Sequence, residues 1–127
     1  MLQRYCLSHN LYQTIVVKKF TYDFKREEDD LMSKITVLAN IHAKPEHIEQ
    51  VKKALLSIIP SSRQERGCIN YDLHQDNNDP AHFIFYENWE SRALWQTHSN
   101  NQHIVDFRET TDDLLEAVII TEMTHIE

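Results

Sequence analysis

Residues 68–89 read C-I-N-Y-D-L-H-Q-D-N-N-D-P-A-H-F-I-F-Y-E-N-W, and the fold turns on how this stretch divides. Residues 68–75 alternate with the two-residue period of a strand, and residues 81–89 form a second, aromatic-rich one. Between them Asp76-Asn77-Asn78-Asp79-Pro80 is a turn, because Asn and Asp side chains satisfy nearby backbone groups and tolerate left-handed angles. The stretch is a β-hairpin.

On its N-terminal side, residues 34–42 alternate as another strand. Ile35, Val37, Ala39 and Ile41 share one face, and Thr36, Leu38, Asn40 and His42 share the other. Lys44-Pro45-Glu46 opens a helix, since proline suits the first helical position and the acid suits the N-terminal dipole. Ile48, Val51, Leu55 and Ile58 then recur at helical spacing. Pro60 predicts a kink or an end near Ile59, and Gly67 closes the polar segment that follows.

On the C-terminal side Ser91 is an N-cap for a helix running through His98. Asn100-Asn101 interrupts it, after which Ile104, Phe107, Thr111, Leu114 and Leu115 repeat at helical spacing, and residues 117–125 read as a fourth strand. The order β-α-β-β-α-β predicts an α+β, ferredoxin-like fold with both helices on one face of an antiparallel sheet. The strands carry large side chains on both faces. A homodimer closing two sheets face to face is therefore expected.

A chain of 127 residues suits one domain with its own core. Residues 1–31 hold five basic and five acidic side chains. Residues 32–127 hold eight and fifteen and so carry the whole net charge of -7. Such an acidic domain repels phosphates, which argues against nucleic acid and anionic membrane as partners. Cys6 and Cys68 form no paired or metal-type spacing, as expected of a reduced, cytoplasmic protein. A lone glycine, Gly67, excludes Gly-rich phosphate loops. No apolar run approaches a membrane span, and polar residues interrupt any secretory signal.

Residues 1–31 end in the charge block Lys25-Arg26-Glu27-Glu28-Asp29-Asp30, and Met32-Ser33-Lys34 then opens the first clean strand. The compact domain is expected to span residues 32–127. Residues 1–31 would be an N-terminal appendage, either a loosely attached strand or a mis-assigned start; the competing reading is an integral first strand.

The chemistry concentrates in residues 87–103, E-N-W-E-S-R-A-L-W-Q-T-H-S-N-N-Q-H. Phe85, Glu87 and Trp89 share a strand face. If that is the bare face, they line a cavity between the sheet and its partner, with His98 at the rim. Aromatic walls hold a planar substrate, and a carboxylate or imidazole can ionise its hydroxyl. Each residue also has a bland reading. Trp89 is more readily a core anchor than a substrate contact. Glu87 could pair with Arg63 or Arg92. His98 divides evenly between a base and a structural histidine, and His103, at a helix start, reads as structural or solvent-facing. No metal site is expected, because His98 and His103 lie five apart across a break rather than at i, i+4.

Glu87-x-Trp89-x-Ser91, followed by Leu94, His98 and His103, resembles the signature of the antibiotic biosynthesis monooxygenase family, its quinol-monooxygenase-like members in particular. The resemblance extends over residues 32–127, including Ala43-Lys44-Pro45-Glu46 and the Glu65-Arg66-Gly67-Cys68-Ile69-x-Tyr71 approach to the second strand. It implies a dimeric α+β barrel that oxygenates a small phenolic or quinol compound with O2, using no metal, flavin or haem. His98 would be the base and Trp89 a pocket wall. Glu87, Asn40 and Tyr71 are candidate orienting groups, with Phe85 and His103 beside the substrate; the motif itself carries over only Glu87, Trp89, His98 and His103. The alternatives are a small-molecule isomerase of the same superfamily, for which cationic phosphate anchors are scarce here, and a non-enzymatic ligand-binding dimer.

Overall fold

The computed structural model describes residues 31–127. The expectation of an N-terminal appendage over residues 1–31 lies, but for Leu31, outside the described residues. Four strands, β1 (Ile35–Ala43), β2 (Cys68–Gln75), β3 (His82–Trp89) and β4 (Leu115–Met123), form one sheet. Their order is β2-β3-β1-β4 with every neighbour antiparallel, which is the ferredoxin-like arrangement. Four helices, α1 (Ile48–Ser57), α2 (Ile59–Arg63), α3 (Arg92–Ser99) and α4 (Gln102–Thr111), fill the two crossovers.

Each expected helix is two. Pro45–His47 is a 3-10 turn rather than the start of α1. Ile58 has φ -89 and ψ -8, a joint that lets Pro60 occupy the first turn of α2, where its missing N–H costs nothing. Ser91 caps α3 by accepting from the Leu94 N–H at 3.1 Å. Neither Leu114 nor Leu115 belongs to α4. The hydroxyls of Thr110 and Thr111 bond back to the carbonyls of Asp106 and Phe107, which ends α4. A 3-10 turn, Asp112–Leu114, leads into β4, which begins two residues earlier than its alternation suggests.

The sheet register assigns the faces. Strand β1 buries Ile35, Val37, Ala39, Ile41 and Ala43 and leaves the intervening residues half-buried. Opposite them β3 buries Phe83, Phe85, Glu87 and Trp89. Helix α1 contributes Val51 and Leu55, both fully buried, each worth about 1.5–3 kcal/mol of transfer free energy. Phe85, Glu87 and Trp89 thus lie under the helices and not on the opposite face of the sheet. An aromatic row flanked by β-branched and aliphatic neighbours packs best where helices supply a second apolar layer.

Gly67 joins α2 to β2 at φ 87, a left-handed angle that favours glycine. A Cβ there would also lie 2.9 Å from Leu94 Cβ, so this backbone passes directly under α3. The Gly67 carbonyl accepts from Glu90 N–H at 2.8 Å, which ties the entry of β2 to the exit of β3.

Candidate active site

On the helix-facing side of the sheet, Tyr71 stands opposite Glu87 and Leu73 opposite Phe85. Tyr71, Phe85 and Trp89 are buried together; the Tyr71 ring lies 4.4 Å from Phe85 and 6.4 Å from Trp89, centroid to centroid. The last turn of α3 lowers His98 onto this aromatic floor. Its ring is 4.6 Å from Trp89 at a 34° tilt and 5.3 Å edge-on from Tyr71. His98 is 4% exposed, so it sits inside the fold and not at a rim.

The partner that orients His98 is Glu65, which sequence reading did not place in the site. Its Oε2 lies 2.6 Å from His98 Nδ1 and 3.3 Å from His103 Nε2. The Asn101 amide donates to its Oε1. Ser62 Oγ, at the end of α2, is 3.1 Å from His103 Nε2. Glu65 follows α2 and Asn101 sits in the break between α3 and α4, so the Asn100-Asn101 interruption has a use: it turns an amide back onto the carboxylate. Chain separation of 33 residues hides the pair from any local pattern. The one available signal was a carboxylate just before the glycine that leads into β2.

Electrostatics divide the titratable groups by role. Burial lowers the His98 pKa below its ordinary value, while the Glu65 hydrogen bond opposes that shift. The ring is therefore neutral at neutral pH. With Glu65 as a carboxylate, Nδ1 carries the hydrogen and donates it, leaving Nε2 with a free lone pair. Glu87 is the converse case. Burial pushes it up to about 8, against the hydrogen bond it accepts, and Glu65 adds to the rise. It holds its proton at neutral pH, which removes it as a base. Burial likewise pushes the Cys68 thiol up to about 11, so it is no nucleophile. Burial and then Glu87 drive Tyr71 well above the usual phenol range.

Glu87 pairs with neither arginine proposed for it. Its Oε2 accepts the Trp89 indole N–H at 2.8 Å. Arg63 donates instead to the Tyr71 carbonyl and to Asp72, and Arg92 Nε lies 2.9 Å from Glu122. The structure thus brings together Tyr71, Phe85, Glu87, Trp89, His98 and His103. Asn40 stands apart. It lies on the opposite face of the sheet, where its Oδ1 is 2.8 Å from His82 Nε2, because even-numbered positions of β1 point away from the helices.

Residues 34–110 match the family model described as antibiotic biosynthesis monooxygenase. Protein sll1783 of Synechocystis sp. (strain ATCC 27184 / PCC 6803 / Kazusa) is 35% identical over 81 residues, or 64% of this chain; the match spans only 55% of that relative's length. The Bacillus subtilis (strain 168) protein named "Putative monooxygenase YcnE" is 30% identical over 93 residues, covering 71% of this chain and 98% of its own. Among solved structures, PA3566 from Pseudomonas aeruginosa has a TM-score of 0.72 at 33% identity, covering 76% of this chain and 98% of that one. The fold, the Glu87-to-His103 motif and a family match over more than half of the sequence agree: the chain belongs to the antibiotic biosynthesis monooxygenase family.

Proposed function

We propose that the protein oxygenates a small phenolic or quinol compound with O2, with His98 as the general base and no cofactor. The observation that supports this most is the Glu65–His98 pair, 2.6 Å apart, which holds a neutral imidazole in the tautomer that leaves Nε2 able to accept a proton. Trp89, Phe85 and Tyr71 supply aromatic surface, and His103 shares the carboxylate. The phenol gives its proton to Nε2. The electron-rich anion passes one electron to O2, the resulting radical and superoxide combine in a new C–O bond, and the peroxide anion so formed takes the proton back from Nε2. Loss of water from the hydroperoxide leaves a carbonyl, so one oxygen atom ends in the product and one in water. The substrate is its own reductant, and the protein's part is to bind, deprotonate and exclude solvent.

The test is O2 uptake by metal-stripped protein with a panel of quinols and anthrone-like phenols. Turnover is expected on at least one, with kcat/KM falling about a hundredfold in His98→Gln. No uptake on any of them would sink this reading in favour of an isomerase or a ligand-binding role.

The working unit in this proposal is a homodimer in a reducing cytoplasm. The sheet face away from the helices, which no element among the described residues covers, supports the first part: Tyr86, Ile119 and Met123 are exposed there, in cross-strand rows with the half-buried Leu38, Asn40 and Thr36. Apolar side chains on an open sheet face usually have a partner. The cysteine pattern supports the second part. Among the described residues no helix is long and apolar enough to cross a membrane. Sedimentation at micromolar concentration is expected to give twice the chain mass; a monomer would refute the face-to-face arrangement.

A further inference from the structure

Glu65, His98 and His103 reach one point from three places: the segment after α2, the last turn of α3 and the first turn of α4. We propose that they form a binding site for one divalent first-row transition ion, held by Glu65 Oε2, His98 Nδ1 and His103 Nε2. Two imidazoles and one carboxylate are a borderline donor set of the kind that takes zinc, cobalt or iron(II), and three protein donors leave further coordination positions open.

The geometry is close to what such an ion requires. The three donor atoms lie within 4.8 Å of one another, with Glu65 Oε2 2.6 Å from one imidazole and 3.3 Å from the other. Bonds of about 2.1 Å place donors roughly 3 to 3.5 Å apart, so shifts of less than an ångström at each side chain suffice. The surroundings hold the donors in place. Asn101 donates to the second carboxylate oxygen, and the His98 ring is braced by Trp89 and Tyr71, as outer groups brace ligands in known sites.

Charge points the same way. Among the described residues, the ionisable side chains within 4 Å of the Glu65 carboxylate are these two imidazoles. The Glu65 side chain is only 12% exposed, and a buried carboxylate facing two imidazole nitrogens is an arrangement that a divalent cation can compensate. The other histidine grouping suits an ion less well. His42 and His82 stack at 4.5 Å, and both nitrogens of His82 are already engaged by Asn40 and Asp76.

Coordination at Nδ1 would shift the His98 proton to Nε2, so a bound ion would remove the base. This second step rests on the proposed oxygenation, whereas ion binding does not. The ion would therefore act as an inhibitor, competing with proton acceptance and not assisting it.

The test titrates the metal-stripped full chain with Zn2+ by calorimetry and with Co2+ by visible absorption. One ion per chain at micromolar concentrations is expected, with d–d bands for Co2+. His103→Gln, the most exposed ligand change and the least able to harm folding, should weaken binding by at least about tenfold, as should Glu65→Gln. His82→Gln should leave binding unchanged. Absence of one-to-one binding, undiminished affinity in His103→Gln, or loss in His82→Gln would each overturn the site. Zn2+ should abolish O2 uptake over the concentration range in which it binds. Binding as expected with undiminished uptake would leave the site standing and overturn the role of His98 as base.

Discussion

Trp89→Ala is expected to cost about 3–5 kcal/mol of folding stability, a large part of the 5–15 kcal/mol that holds a domain of this kind together. Trp89 is fully buried at the end of β3, paired with Ile35 on one side and Cys68 on the other. Truncation opens a cavity the size of an indole beneath α3. It also removes the N–H donor from Glu87 Oε2, leaving a buried carboxyl short of a partner. His98 loses the ring it rests on at 4.6 Å, so the site loosens together with the core. Trp89→Phe should cost less, since it keeps most of the ring volume and gives up only the hydrogen bond. Urea unfolding with the m-value checked would measure both. A loss below about 1 kcal/mol for Trp89→Ala would mean that the aromatic floor is not what anchors β3.

That coupling of core and site explains what could be read in advance and what could not. The hairpin, the strand parity of β1 and the Ser91 cap follow from local rules: alternation, turn chemistry and a side-chain acceptor three residues before a free N–H. The choice of face does not. Along β3 both sets, Phe83-Phe85-Glu87-Trp89 and Ile84-Tyr86-Asn88, contain large apolar groups, and a glutamate in the first set argues locally for the open face. The structure buries that glutamate because the Trp89 indole two residues on supplies its hydrogen bond and burial keeps it protonated. The hydrogen bond is local but depends on the rotamers of both side chains, and the burial is tertiary. Glu65 was hidden for a related reason. Helical spacing tests whether His98 and His103 share one helix face, but here the break at Asn101 and a carboxylate from a separate crossover bring the three together. Spacing rules cover donors on one element, and this cluster is assembled from three.

Glu87 also sets the second large expectation, a loss of stability as pH rises. Its folded pKa of about 8 stands above the ordinary carboxyl value of 4.5, so the folded state binds this proton more tightly than the unfolded chain does. The stabilisation is fully present below pH 4.5 and is lost progressively as pH rises through 8. At 1.36 kcal/mol per pKa unit the whole span amounts to roughly 4–5 kcal/mol, an upper bound. His98 acts in the opposite sense. Its folded pKa is depressed, so its contribution is present above the unfolded value near 6.5 and falls away as the solution becomes more acidic. The Glu87 slope is isolated by Glu87→Gln, whose side-chain oxygen can still accept the Trp89 indole N–H but cannot ionise. The variant should match the native chain near pH 4.5 and exceed it by several kcal/mol at pH 8.5, with unfolding midpoints taken at half-unit steps between. Parallel profiles for the two chains would show that Glu87 is ionised in the folded state and compensated from elsewhere. A diverging pair would establish that β3 carries a neutral carboxylic acid beneath α3, leaving His98 as the group there with a lone pair to offer.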